Sequence, residues 1–341
     1  MKSATLKIDL DSILYNYRHL KCKYKKNIIA VLKDDAYGLG LLKVASKLKD
    51  EENIVFAISS LEEIILLRNN NINNDILYLN VFDIDDIETI NKYNITVVVS
   101  NFEQLELVKN NNLKFHLKFN TGMNRIGFFD YETSQVISKI NKDNYNLKGV
   151  MTHIADDDKQ HKSYYKFVEI IKKINYKNLM IHCFASNSLT TYKDEITNYI
   201  RVGIKLYGIG DKNMFLHNTI SLTSPIIQIK KINENELVGY DYTYQTTQKG
   251  YLYILPIGYY KGWGSFTNSF AYSDNIFLKQ AGKISMDYST YFSSKLLDKN
   301  CEVELIGKHI NIEQLCQLNS LNPHEFLVKL NIKKVYLDSK I

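Results

Sequence analysis

Proline is scarce in this chain: Pro225, Pro256 and Pro323 are the only three in 341 residues, and none precedes position 225. Cysteine is nearly as sparse. Cys22, Cys183, Cys301 and Cys316 form no CxxC pair and no dense framework, which excludes a disulfide-stapled scaffold and reads as reduced thiols in a cytosolic protein. No stretch approaches the ~20 apolar residues of a membrane span. The first ten residues hold no apolar core long enough for a signal peptide, so a cytoplasmic location is expected. There is no basic block and no nucleic-acid motif, and lysine runs such as Lys21–Lys26 are short and broken by Cys22 and Tyr24. A nucleic-acid partner is therefore disfavoured despite the net charge of +6. Asp156–Asp158 has no partner cluster at ligand spacing, so a solvated loop is expected there and no metal site. Neither a strong internal repeat nor a low-complexity linker occurs.

What is present is ordinary globular material, 45% apolar and 23% charged, in a chain long enough for two domains. Eight short apolar runs recur at even spacing: 27–33, 54–58, 76–80, 95–100, 114–119, 147–152, 179–184 and 204–208. Helical patterns lie between most of them. Tyr164, Phe167, Val168, Ile171 and Ile174 make one stripe; Leu61, Ile64, Ile65 and Arg68 make another, with Ser60 placed to cap it. Eight β-then-α units predict an α/β fold, a (β/α)8 TIM-type barrel, over residues 10–212. No eighth helix is evident after Gly208. Beyond that, runs at 220–232, 236–240, 251–255 and 301–306 and late helices at 312–318 and 323–330 predict a mostly β C-terminal domain, 218–341, joined by residues 1–9.

Chemistry-bearing residues fall where a barrel would use them, at the carboxyl ends of the predicted strands. Lys33 ends the first run, Ile28-Ile-Ala-Val31, before a turn of small residues. A lysine stripped of water there would supply a neutral amine able to form a Schiff base; alone, a lysine leaving the strand for solvent is the commoner case. Lys118, Asn120 and Arg125 follow the fifth run, His153 the sixth, Asn187 and Ser188 the seventh, and Arg201, Gly203 and Ile204 border the eighth. Taken singly, His153 reads as a core histidine and Arg125 as a turn cap. Ser188 with Gly203 fits a phosphate cradle in the loops after strands seven and eight. A Schiff-base lysine facing such a cradle implies pyridoxal phosphate.

From about Leu6 to Tyr336 the chain resembles the alanine racemase family, fold-type III pyridoxal phosphate enzymes. The segments that carry the resemblance are Val31-Leu-Lys-Asp-Asp-Ala-Tyr-Gly38, Phe56-Ala-Ile-Ser-Ser-Leu-Glu-Glu63, His116-Leu-Lys-Phe-Asn-Thr-Gly-Met-Asn-Arg-Ile-Gly127, Thr152-His153, Ala185-Ser-Asn-Ser188, Arg201-Val-Gly-Ile204, Val238-Gly-Tyr240, Pro256-Ile-Gly-Tyr259 and Ser285-Met-Asp287. The resemblance implies that Lys33 holds the cofactor and acts as one catalytic base, with Tyr240 as the other on the opposite face. It implies that Tyr37, Ser188 and the backbone at Gly203 and Ile204 bind the phosphate. Arg201 would face the pyridine nitrogen, and Arg125 the cofactor's phenolic oxygen and the substrate carboxylate. Met286 would meet the substrate through its backbone, beside Asp287, and Tyr259 would line the entrance. Lys118 matches a position carbamylated in many members, where it holds Arg125; His153 would sit behind Tyr240 and Arg201. Tyr240 would enter from a second subunit, so the resemblance implies a head-to-tail homodimer acting on a small amino acid.

Two bases suit a reaction that removes a proton from one face of a carbon and returns it to the other. The departures from the family pattern are Asn120 for Asp, Asn124 for Gly, Leu39 for His, Gly239 for Ser and Lys261 for Asp, and no late tyrosine matches the one that often touches the phosphate. They leave the two bases and both arginines in place. Interconversion of L- and D-alanine for peptidoglycan is the first expectation; a racemase of serine, lysine or a broader range is the second, and a fold-type III decarboxylase the third. A non-enzymatic protein that kept the fold is the remaining alternative.

Overall fold

The computed structural model describes residues 3–154, 162–174, 177–189, 196–210, 215–264 and 266–339. The Asp156–Asp158 run lies outside the described residues. Eight parallel strands form one sheet: β2 (Asn27–Val31), β3 (Val55–Ile58), β4 (Asp75–Tyr78), β5 (Thr96–Val99), β6 (Phe115–Lys118), β7 (Leu147–Met151), β8 (Met180–His182) and β9 (Tyr199–Val202). They run in the order β8-β7-β6-β5-β4-β3-β2-β9. The seam between β8 and β9 is bridged by backbone bonds, Asn198 N–H to Ile181 O at 3.2 Å and Arg201 N–H to Phe184 O at 3.1 Å. The predicted TIM-type barrel is therefore found, nearly closed. Its eighth strand is Tyr199–Val202, not 204–208: Gly203 (φ −116, ψ −97) ends it, and Ile204–Tyr207 turn as a 3-10 helix. Arg201 thus lies within the strand.

Strict alternation along the strands decides what faces inward. Phe56, Ile76, Val97 and Leu117 pack outward in the main core, while Ile29, Val55, Ala57, Leu77, Val98 and Met151 fill the interior. The same alternation turns His116, His182 and Arg201 inward, so one side of the barrel interior is apolar and the other polar. With few glycines, the chain leaves its outer helices on asparagine. Asn71, Asn94 and Asn112 sit at φ +59, +50 and +50 just past three successive helices. The next residues, Ile72, Ile95 and Leu113, are buried, and their N–H groups reach back to Leu67 O, Ile90 O and Val108 O at 3.0–3.1 Å. These are Schellman closures, and asparagine tolerates the left-handed geometry better than other side-chain-bearing residues.

No eighth helix follows β9 among the described residues; helix Leu10–Tyr24, which precedes β2, packs on the turn after β9 instead. Its buried Asn16 donates to Leu206 O and His217 O at 3.0 and 2.9 Å and accepts from His217 N–H at 2.7 Å. No helix among the described residues is long and apolar enough to cross a membrane.

The remaining strands are β1 (Thr5–Asp9), β10 (Ile220–Pro225), β11 (Gln228–Ile232), β12 (Leu237–Val238), β13 (Tyr244–Gln245), β14 (Gly250–Leu255), β15 (Phe270–Ser273), β16 (Ile276–Gln280), β17 (Ser289–Ser293), β18 (Glu302–Ile306) and β19 (Lys333–Leu337). All but the β12-β13 ribbon join a nine-stranded sheet, β11-β14-β17-β16-β15-β18-β10-β1-β19. The run read as one strand over 220–232 is two, interrupted after Pro225, and they pair at distant places in this sheet. Proline cannot donate to the ladder, so the pairing ends there. The 236–240 run contributes only Leu237–Val238 as strand, because Gly239 takes φ +78 and Tyr240 enters a 3-10 turn. The late helices lie at Ile312–Leu318 and Pro323–Lys329, each capped by an asparagine, Asn311 or Asn322.

Candidate active site

A cavity of about 730 Å³ opens at the carboxyl ends of the barrel strands, lined by Lys33, Tyr37, Lys118, Arg125, His153, Ser186, Arg201 and Gly203 among others. A larger groove near Phe277 and His309 lies elsewhere and holds none of these groups. Val31, Leu79, Val98 and Met151 supply apolar wall. Lys33, Lys118, Arg125 and Arg201 bring four cationic side chains to it, against one acid, Asp34, among its described lining residues.

Lys33 does not end a strand. β2 stops at Val31, and Lys33 opens a turn in which Asp34, Asp35, Ala36 and Tyr37 all hold left-handed φ values between +54 and +61. Such geometry costs roughly 1–2 kcal/mol per residue for side-chain-bearing L-residues, so it persists only where neighbours enforce it. Here they do. Asp35 N–H donates to Glu63 Oε1 at 2.6 Å, Asp35 Oδ1 accepts from Leu41 N–H at 2.8 Å, and Lys334 Nζ meets Asp35 Oδ2 at 2.8 Å. The burial expected of Lys33 is not found: its side chain is 41% exposed, 3.4 Å from Asp34. The desolvated lysine is Lys118, facing inward from β6. Burial, with Arg201 and Arg125 nearby, pushes its pKa down to about 8.

Arg201 is the buried hub. One guanidinium nitrogen contacts His182 Nδ1 at 2.6 Å and donates to His182 O at 3.0 Å. The other donates to Thr152 O at 2.8 Å and Cys183 O at 3.0 Å and contacts His153 Nδ1 at 3.3 Å. Arginine can only donate. Both histidines must therefore accept at Nδ1 and carry their hydrogen on Nε2. His182 Nε2–H in turn reaches His116 Nδ1 at 2.8 Å. Burial, followed by the charge of Arg201, pushes His116 and His153 down to about 3 and His182 well below its ordinary value. All three are neutral acceptors, while Arg201, lowered by burial to about 10, stays charged at neutral pH.

Arg125 comes from a loop that Asn120 organises. Asn120 Oδ1 accepts from Asn124 N–H at 2.9 Å and Gly122 N–H at 3.3 Å, and its amide donates to Asn124 Oδ1 at 3.0 Å. Asn124 sits at φ +55, which suits the glycine usual there and is tolerated by asparagine. The two departures form one unit, since an aspartate at 120 could not donate to Asn124. At the opposite wall a Cβ on Gly203 would lie 2.1 Å from the Tyr37 hydroxyl. Burial and then Asp34 push that phenol up to about 12, so it remains an O–H donor.

Ser188, expected in the cradle, spends its hydroxyl on its own turn, accepting from Ala185 N–H at 3.0 Å and donating to Ala185 O at 3.1 Å. The serine that faces Gly203 is Ser186, whose Oγ accepts Gly203 N–H at 3.1 Å. Ile204 is buried and does not line the cavity.

Tyr240, Tyr259, Met286 and Asp287 are not brought to this cavity within one chain. Tyr240 is 67% exposed, Met286 52% and Tyr259 47%. Their loops interlock: Tyr259 N–H donates to Ser285 O and Tyr260 N–H to Met286 O, both at 3.1 Å. Gly239 lies against Gly282, beside an Asp241–Lys283 ion pair.

Residues 8–211 match the family model for the N-terminal domain of alanine racemase and residues 219–336 that for its C-terminal domain. This chain belongs to the alanine racemase family. An alanine racemase of Streptococcus uberis is 32% identical over 94% of this chain and 96% of its own, and one of Fusobacterium nucleatum is 30% identical over 95% and 94%. Among solved structures, alanine racemase from Clostridium difficile 630 is 26% identical with a TM-score of 0.87, covering 99% of this chain and 97% of the other. The Bartonella henselae alanine racemase, determined with covalently bound pyridoxal phosphate, is 25% identical with a TM-score of 0.89 over 99% and 100%. The barrel and the cationic cavity described above are thus an alanine racemase scaffold.

Proposed function

We propose that the chain is a pyridoxal phosphate-dependent alanine racemase. It would work in the cytoplasm as a homodimer and supply D-alanine for peptidoglycan. The observation that carries this reading is the convergence of four cationic side chains on one small cavity, with a single acid among its described lining residues. The residues fit the cofactor. The volume suits a small molecule, apolar wall suits a flat ring, and anionic groups suit the cations. The bare Gly203 backbone beside Tyr37 and Ser186 leaves room that a Cβ would fill. When bound, pyridoxal phosphate supplies the electron sink that acidifies an amino acid's α-hydrogen.

This chain's residues do the rest. Lys33 holds the cofactor through its amine and moves the proton on one face; Tyr240 of a second subunit moves it on the other. Arg125 pairs with the substrate carboxylate. Arg201 stays protonated while His153, His182 (itself braced by His116) and backbone carbonyls fix its plane, so it would donate to the ring nitrogen without surrendering a proton. An arginine held there would keep the ring nitrogen unprotonated and so limit side reactions. Met286, Asp287 and Tyr259 of the second subunit border the entrance. Their apolar and aromatic exposure in one chain favours burial against a partner.

The test is a racemisation assay with added pyridoxal phosphate on L-alanine, L-serine and L-lysine, following each D-form by chiral chromatography. Alanine far ahead supports the proposal. Serine or lysine turning over equally well would move it to a broader racemase, and none turning over would overturn it.

The Lys118 amine, with a pKa near 8, is about one-tenth neutral at pH 7 and mostly neutral at pH 9. We propose that it forms a carbamate, as its family position suggests, which would pair with Arg125. Activity is then expected to rise with added bicarbonate, with half-saturation at lower bicarbonate as pH climbs from 7 to 9. A Lys118→Met protein should show no bicarbonate response. Gly203→Ala drives a methyl into the Tyr37 hydroxyl. Overpacking of about 1–3 kcal/mol is expected to weaken pyridoxal phosphate binding by roughly tenfold or more, read by titrating its absorbance.

A further inference from the structure

Of the described residues that line the cavity, one comes from beyond Gly203, and it is His324. Its ring centroid lies 6.0 Å from that of Tyr37, whose hydroxyl abuts Gly203. His324 therefore stands at the end of the cavity where Tyr37, Gly203 and Ser186 meet. Its orientation is set locally. Asn322 Oδ1 accepts the His324 backbone N–H at 2.9 Å and contacts ring Nδ1 at 3.0 Å. An amide oxygen only accepts, so Nδ1 carries a hydrogen, and a further proton can enter only at Nε2. Helix Pro323–Lys329 is also seated on the left-handed turn: a Cβ on Gly38 would lie 3.2 Å from Leu327 O and 3.4 Å from Val328 Cα. The histidine is thus fixed against the turn that bears both Lys33 and Tyr37.

We infer that His324 is a phosphate-binding residue, the contribution of the C-terminal segment to the cofactor's anionic end. This rests on the pyridoxal phosphate reading above. A dianion beside the ring favours the doubly protonated imidazole, whose second N–H then donates to a phosphate oxygen. The bland alternative is that His324 merely packs on Tyr37.

Two probes separate these accounts, pyridoxal 5'-phosphate and pyridoxal, which differ only in the phosphate. The full-length protein, freed of cofactor by dialysis against a competing amine, is titrated with each and followed by visible absorbance. In His324→Ala, binding of the phosphorylated probe is expected to weaken about tenfold or more, with pyridoxal unchanged. His324→Gln retains an N–H donor and is expected to recover part of the loss. The phosphorus NMR resonance of the bound probe should shift in the alanine variant. Equal weakening of both probes, or none for the phosphorylated one, would overturn the assignment and leave His324 a packing residue. A wild-type protein that bound neither probe would overturn the cofactor reading itself.

Discussion

Lys33→Ala is expected to abolish racemisation, with a fall of at least about 10⁴-fold, because one substitution removes both a proton-transfer group and the point of cofactor attachment. The loss should be chemical and not structural. The Lys33 side chain is 41% exposed, and its ion partner Asp34 is 52% exposed, a pairing worth about 0–1 kcal/mol at most. What holds the left-handed turn is Glu63, Leu41 and Lys334 acting on Asp35, and none of these touches the lysine amine. The midpoint of thermal unfolding without cofactor should therefore stay within a few degrees of wild type. Borohydride reduction of the wild-type holoenzyme followed by peptide mass spectrometry gives the second readout. The pyridoxyl label is expected on the peptide bearing Lys33 and absent in the variant. A label on Lys118, or an alanine variant that racemised at full rate, would sink the assignment.

The barrel was legible because its strands are short β-branched runs buried on both sides, a signal that survives in a single sequence. Seven of the eight lie where the apolar runs put them. The eighth was misplaced by five residues because Tyr199-Ile-Arg-Val and Ile204-Lys-Leu-Tyr are both apolar runs carrying one cation. Only the backbone at Gly203 shows which is strand and which is turn. Much of the second sheet was illegible: β15, β16 and β17 alternate weakly, and although residues 1–9 were placed with this domain, nothing local announces that β1 pairs with β19 at the other end of the chain.

In the site, residue types carried the chemistry, but contacts decided its distribution. The prediction of a dehydrated Lys33 missed because nothing local announces a left-handed turn containing Ala36 and Tyr37; the dehydration falls on Lys118, whose inward position follows from strand alternation. Ser186 and Ser188 cannot be told apart by spacing. Which one meets Gly203 depends on how the 3-10 turn closes on Ala185. His116 and His182 drew no attention as site residues, although strand alternation alone would have placed both inside the barrel with Arg201. His324 was invisible for a different reason, since it reaches the cavity from a separate helix more than a hundred residues beyond Gly203.

Tyr240→Phe is expected to lower racemisation by about 10²–10⁴-fold, the range for removing one general acid–base group. Cofactor binding should be intact, because the attachment point Lys33 and the wall formed by Tyr37, Ser186 and Gly203 are left untouched. Exchange of the α-hydrogen with solvent deuterium, followed by proton NMR, divides the two faces. It should persist for one enantiomer, served by Lys33, and collapse for the other; equal loss from both would count against the two-face assignment. The stronger test uses both inactive proteins together. If each site takes Lys33 from one subunit and Tyr240 from its partner, a dimer of one Lys33→Ala and one Tyr240→Phe chain concentrates both defects in one site and leaves the other whole. Unfolding and refolding an equimolar mixture should then restore activity to roughly a quarter of wild type, because half the dimers are mixed and each has one intact site in a two-fold assembly. Sites built within single chains would each keep a defect, and no activity would return. Recovery thus measures in one number whether the exposed tyrosine face and the cationic cavity belong to the same reaction in different chains.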